Sequence, residues 1–135
     1  MTDDTGTPAM DTYLYLITEA DWDSDAYAGE GGPGGRLETD FPSHALFAEA
    51  VARLGARIVG GEALQSARYG GRVRPGRGAD PEEGAVYTDG PFPDTTEVVS
   101  GFYLIEADDE AVARRIAALV PCTGYVEWRK VFPLS

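Results

Sequence analysis

A single histidine, His44, stands two residues after Pro42, where the sequence predicts the start of a helix. An imidazole titrates near neutrality and therefore suits general acid–base work. Asp89, which opens the string Asp89-Gly90-Pro91-Phe92, is its candidate partner. A carboxylate held there could orient His44 or act as the base itself. The same residues also make a good turn, because Asp accepts backbone hydrogen bonds, Gly90 takes an unusual φ and Pro91 fixes the exit. His44 likewise has a simpler reading as a surface histidine in a first helical turn. Glu62 follows two glycines and is expected to face inward beside Asp89. A buried acid needs a partner, and Arg68, Arg72 or Arg74 on one predicted arm could supply it or bind an anionic ligand. Those arginines also suit a solvated basic face. Phe92 and Tyr103 are read first as packing and then as the wall of a small-molecule pocket, as are Tyr125 and Trp128.

Other chemistries find less support. His44 and Cys122 are the only histidine and the only cysteine, and 78 residues separate them, so no metal-ligand motif forms. Gly70-Gly71 lacks the strand and helix context of a phosphate cradle. No cofactor is expected. The net charge is −12, and residues 1–40 hold ten acids against one base, Arg36. Clustered cations for a nucleic-acid backbone are missing, so nucleic acid is not an expected partner. Apolar runs fall far short of the ~18 residues of a membrane span. The acidic start MTDDTGTPAMD is unlike a signal peptide, and one cysteine allows no internal disulfide. These features predict a cytoplasmic protein with no membrane partner.

Positioning these side chains is the task of the elements around them. A chain of 135 residues fits one domain, with 1–11 as a flexible tail and 20–41 as a long acidic, glycine-rich loop. Thr12 to Glu19 reads as a strand with Tyr13, Tyr15 and Ile17 on one face and Leu14 and Leu16 on the other. A helix follows from Pro42, capped by Thr39 or Asp40, with Phe47, Ala50, Val51 and Leu54 on its buried face and Gly55 ending it. Arg57 to Glu62 is a short strand, and 68–74 with 85–88 forms a hairpin. Val98 to Glu106 is a second strand with two apolar faces, Val99, Tyr103 and Ile105 against Val98, Phe102 and Leu104. Asp108 is expected to cap a second helix that carries Val112, Ile116, Leu119 and Val120, and Pro121 stops it. Tyr125 to Phe132 is the last strand.

The order β-α-β, hairpin, β-α-β predicts an α+β chain of ferredoxin-like type, with the two doubly apolar strands at the centre of the sheet. Two helices cover one sheet face only. The other face predicts a homodimer.

Thr88 to Asp109, TDGPFPDTTEVVSGFYLIEADD, resembles the signature of the DGPF branch of the YCII-related proteins. Gly60 to Gln65, GGEALQ, is similar to the same branch at the same relative place, and the resemblance runs over roughly residues 12–131. It implies a ferredoxin-like fold that dimerises into an α+β barrel, and it implies no settled reaction. In the YCII branch a histidine near the start of the first helix is proposed to pair with an aspartate for proton transfer, and His44, eleven residues before Gly55, resembles that histidine. The aspartate has no counterpart here, because Leu119-Val120-Pro121-Cys122 stands after the second helix. The first functional reading of these residues is a small-molecule pocket with acid–base, lyase- or isomerase-like chemistry. The competing implication is a non-catalytic ligand-binding or regulatory domain, since relatives are often encoded beside extracytoplasmic-function sigma factors. If Asp89 orients His44, the imidazole is expected to titrate above its usual value.

Overall fold

The computed structural model describes residues 10–20, 42–89 and 97–133. Most of the expected tail over 1–11 and of the acidic loop over 20–41, the helix caps Thr39 and Asp40, and Phe92 lie outside these residues, while Asp11 and Ala20 belong to the first strand. The described chain runs β1 (Asp11–Ala20), α1 (Pro42–Arg53), β2 (Arg57–Ala63), a short 3₁₀ turn (Ala67–Tyr69), β3 (Gly71–Arg74), β4 (Val86–Asp89), β5 (Glu97–Ala107), α2 (Glu110–Leu119) and β6 (Tyr125–Lys130).

Four strands form one antiparallel sheet in the order β2-β5-β1-β6. The doubly apolar strands β1 and β5 are central, as their composition requires. The fold is α+β, compatible with a ferredoxin-like arrangement, and in the single chain the sheet is open rather than closed into a barrel. Among the described residues, strands β3 and β4 pair only with each other, in a separate hairpin. The first arm is shorter than expected, because Ala67–Tyr69 turns instead of extending.

Both helices pack on one face of the four-stranded sheet. Its core unites Tyr13, Tyr15 and Ile17 of β1, Ile105 and Ala107 of β5, Phe47 and Val51 of α1, and Ala113 and Ile116 of α2. Helix α2 starts one residue later than expected: Asp109, not Asp108, is the cap, and its carboxylate accepts from the Val112 amide at 2.9 Å. Val120 lies past the last turn in extended conformation but is still buried against the core.

The β5 alternation departs from the expected one. Ile17 pairs with Gly101 but Thr18 pairs with Val99, so Ser100 is an extra residue, a β-bulge. One inserted residue reverses the period-2 parity. Val98, opposite Glu19, therefore joins the helix-covered face, and Val99, opposite Thr18, leaves it. Val99 is 41% exposed, in keeping with that reversal.

Tyr15 is wholly buried, and its hydroxyl donates to the Ala113 carbonyl of α2 at 2.8 Å, tying sheet to helix. Burial, with Tyr13 adding to it, pushes the Tyr15 phenol up to about 12 from the ordinary 10.0. Between these two values the unfolded chain ionises this phenol while the folded chain keeps it neutral. Stability from Tyr15 is therefore complete below pH ~10 and declines as the pH rises toward ~12, by roughly 2–3 kcal/mol. Urea midpoints of the parent and Tyr15→Phe should converge and then cross over this range, since the loss exceeds the ~1 kcal/mol of the hydrogen bond. A gap that stays constant from pH 9 to 12 would contradict the assignment.

Candidate functional site

His44 lies in the first turn of α1, and Phe47 one turn later brings the same helix face onto the sheet. The half-buried His44 ring meets Tyr103 of β5, with Nδ1 and the phenol oxygen 2.5 Å apart. Phe47 packs on the Tyr103 ring at 5.0 Å between centroids. Tyr103 stands opposite Tyr15 on β1 and opposite Gly61 on β2. A Cβ at Gly61 would approach the Phe102 carbonyl oxygen to 2.8 Å and Tyr103 Cδ1 to 2.9 Å, so only glycine leaves the ring this seat. The second glycine of the GGEAL stretch thus shapes the site through the space it leaves.

Burial pushes the His44 imidazole below its ordinary value, and the charge of Glu19 pulls the other way. The net direction is opposite to the rise expected from an aspartate partner. Burial also raises the Tyr103 phenol, so this hydroxyl keeps its proton at neutral pH.

Glu19, on β1, was not among the candidate residues. Its Oε1 accepts from Ser100 Oγ at 2.7 Å, and its Oε2 accepts from the Thr123 amide at 2.9 Å and from Thr123 Oγ1 at 3.1 Å. Burial opposes ionisation of this carboxyl. The Thr123 amide, the Ser100 and Thr123 hydroxyls and the charge of His44 outweigh it and hold the group below its usual range. The turn that supplies Thr123 is itself tightly seated. A Cβ on Gly124 would come within 2.1 Å of the Thr18 carbonyl oxygen, and the Gly124 amide donates to Cys122 Sγ at 3.2 Å. Burial raises the Cys122 thiol, the Gly124 amide opposes that rise and Glu19 adds to it.

Three other expected site residues, Asp89, Arg74 and Glu62, lie away from His44. Asp89 is exposed at the end of β4, opposite Gly71 in the hairpin. Among the described residues no hydrogen bond or ion pair joins it to His44. Arg74 is exposed on β3, opposite Val86. Glu62 pairs with Phe102, which places it on the sheet face away from His44 and Tyr103, and it is exposed rather than inward. Among the described residues, Tyr103 is the expected binding residue that meets His44. A signal for Glu19 was present in the sequence, since it continues the Tyr13, Tyr15, Ile17 face of β1. The signal was obscured because Glu19 ends the strand just where the acidic segment starts.

Among the described residues, no three or more His, Cys, Asp or Glu side chains gather as a metal-binding group. No described helix is long and apolar enough to cross a membrane. A comparison with curated proteins finds no match. The family model of the YCII-related domain matches residues 37–135, from just before α1 through β6, so β1 with Glu19 precedes the matched segment. The chain belongs to the YCII-related family.

Proposed function

We propose that the protein moves a proton on a small-molecule substrate through the His44–Tyr103 pair, as a lyase or isomerase does. The observation that carries this reading is the 2.5 Å approach of His44 Nδ1 to the Tyr103 hydroxyl, at a half-buried site. Tyr103, kept protonated by burial, donates to Nδ1 of a neutral imidazole in the resting state. When a substrate proton reaches the phenol oxygen, the phenolic proton passes to Nδ1. Tyr103 ends as it began, and His44 becomes an imidazolium. The reverse transfer returns the proton to another substrate atom. Asp89 and Arg74 of the hairpin, with Phe92, are proposed to contact substrate rather than to drive the transfer. The string from Thr88 to Asp109 supports placement in the DGPF branch.

The test is solvent-proton exchange in D2O. The protein is incubated with a panel of small keto and enol acids, and loss of the carbon-bound proton is followed by NMR. The parent should catalyse exchange of at least one class, and His44→Gln should not. Binding without exchange would make the chain a non-catalytic ligand-binding or regulatory domain and overturn the acid–base reading. Equal exchange by parent and His44→Gln would do the same.

We further propose that the sheet face left uncovered by the described helices is the contact of a homodimer, and that two such faces form the α+β barrel. Half-buried Leu14 and Leu16 of β1 with Phe102 and Leu104 of β5 supply its apolar centre. Charges of both signs frame it: Arg57 pairs with Glu106 at 2.7 Å on one side, and Arg129 with Glu127 at 2.5 Å on the other. A two-fold contact can therefore set acid against base. Leu16→Glu should convert the parent dimer to monomer or unfolded chain. A parent that light scattering finds monomeric at micromolar concentration would refute the contact.

A further inference from the structure

The end of β1 holds a hydrogen-bonded carboxylate that the proton relay leaves unused. We propose that Glu19 is the charged positioning residue of the site, held at the end of β1 so that its carboxylate compensates the imidazolium formed on His44. This inference rests on the acid–base reading given above.

The geometry has three parts. Glu19 continues the face of β1 that carries Tyr13, Tyr15 and Ile17, so it faces the helices and not the open side of the sheet. The β5 bulge at the buried residue Ser100 turns its hydroxyl onto Oε1 at 2.7 Å. Bulges re-aim side chains in this way, often beside active sites. The turn between α2 and β6 then closes on Oε2 with the Thr123 amide and hydroxyl. Gly124 lets that turn lie against the Thr18 carbonyl, where any side chain would collide.

A carboxylate that accepts three hydrogen bonds stays ionised and poorly basic. Glu19 is therefore a fixed charge and not a proton carrier. His44 faces Tyr103 from β5, Phe47 from its own helix and the field of Glu19 from β1, and Cys122 on the neighbouring turn feels the same carboxylate. Of these groups Glu19 brings a negative charge. A half-buried imidazolium needs such a charge, because desolvation penalises it.

His44 is the only histidine, so its ring protons give one isolated NMR titration without substrate. In Glu19→Gln the His44 titration should move to lower pH than in the parent, with the amide spectrum otherwise preserved. Ser100→Ala, which frees Oε1, should raise the pH at which Glu19 itself titrates. An unmoved His44 curve in folded Glu19→Gln would overturn the proposal. Should that variant fail to fold, the parent decides: the Glu19 carboxyl carbon-13 shift must show a second inflection at the His44 midpoint, and its absence overturns the proposal equally. Failure of the exchange assay with a shifted His44 curve would reject the reaction and keep the charge pair. Exchange with an unmoved curve would do the reverse.

Discussion

Tyr15→Ala is expected to lower stability by about 3–5 kcal/mol, the usual cost of removing a large buried aromatic ring. The ring is 0% exposed, lies at the centre of the sheet and hydrogen-bonds across to α2. On β1 it stands between Tyr103 of β5 and Trp128 of β6, so its loss opens a cavity under both neighbours. A domain of this kind has only ~5–15 kcal/mol in total, so such a loss is a large share of the whole. Tyr15→Phe keeps the ring and gives up one buried hydrogen bond, which costs about 1 kcal/mol. Urea unfolding distinguishes the two: the midpoint should fall steeply for Ala and slightly for Phe, with the slope unchanged. Equal midpoints for Ala and parent would show that Tyr15 does not anchor the core.

The second large effect belongs to Tyr103→Phe. If the phenol relays the proton between substrate and His44, its removal should cut the rate of solvent-proton exchange by roughly 10²–10⁴-fold, the range of general acid–base contributions. The ring remains against Phe47 and above Gly61, so stability should change little. The loss should lie in turnover, with substrate affinity nearly retained. A variant that exchanges at the parent rate would remove Tyr103 from the relay. One that loses affinity and stability together would mark it as packing.

The elements were legible because periodicity survives in short windows. Phe47 and Val51 on α1, Ala113 and Ile116 on α2, and the alternation of Tyr13, Tyr15 and Ile17 follow from one helix or one strand at a time. The central placement of β1 and β5 followed from their two apolar faces. The Asp109 cap was missed by one residue because Asp108 and Asp109 offer the same carboxylate to the same turn.

The site was less legible, because it depends on which residues meet across long separations. His44 and Tyr103 are 59 residues apart, and Glu19 and Thr123 are 104 apart. Asp89 was attractive because it opens a turn rich in glycine and proline. Among the described residues, the hairpin β3–β4 that carries it pairs only with itself and sets it at an exposed strand end.

By itself, then, the sequence determined the fold class, the helices and strands, the buried faces of α1, α2 and β1, and His44 as the lone imidazole. These properties arise from local periodicity, and each is written within a dozen residues. Only the tertiary structure decided that Tyr103 faces His44, that Glu62 lies across the sheet from them, and that Glu19 is the carboxylate held by Ser100 and Thr123. The physical reasons are the long sequence separations of these partners and two register irregularities, the extra residue at Ser100 in β5 beside Glu19 and the one between Ile58 and Gly60 in β2 before Glu62. A bulge changes the parity of a strand without leaving a pattern in composition, and with it the face that each following side chain occupies.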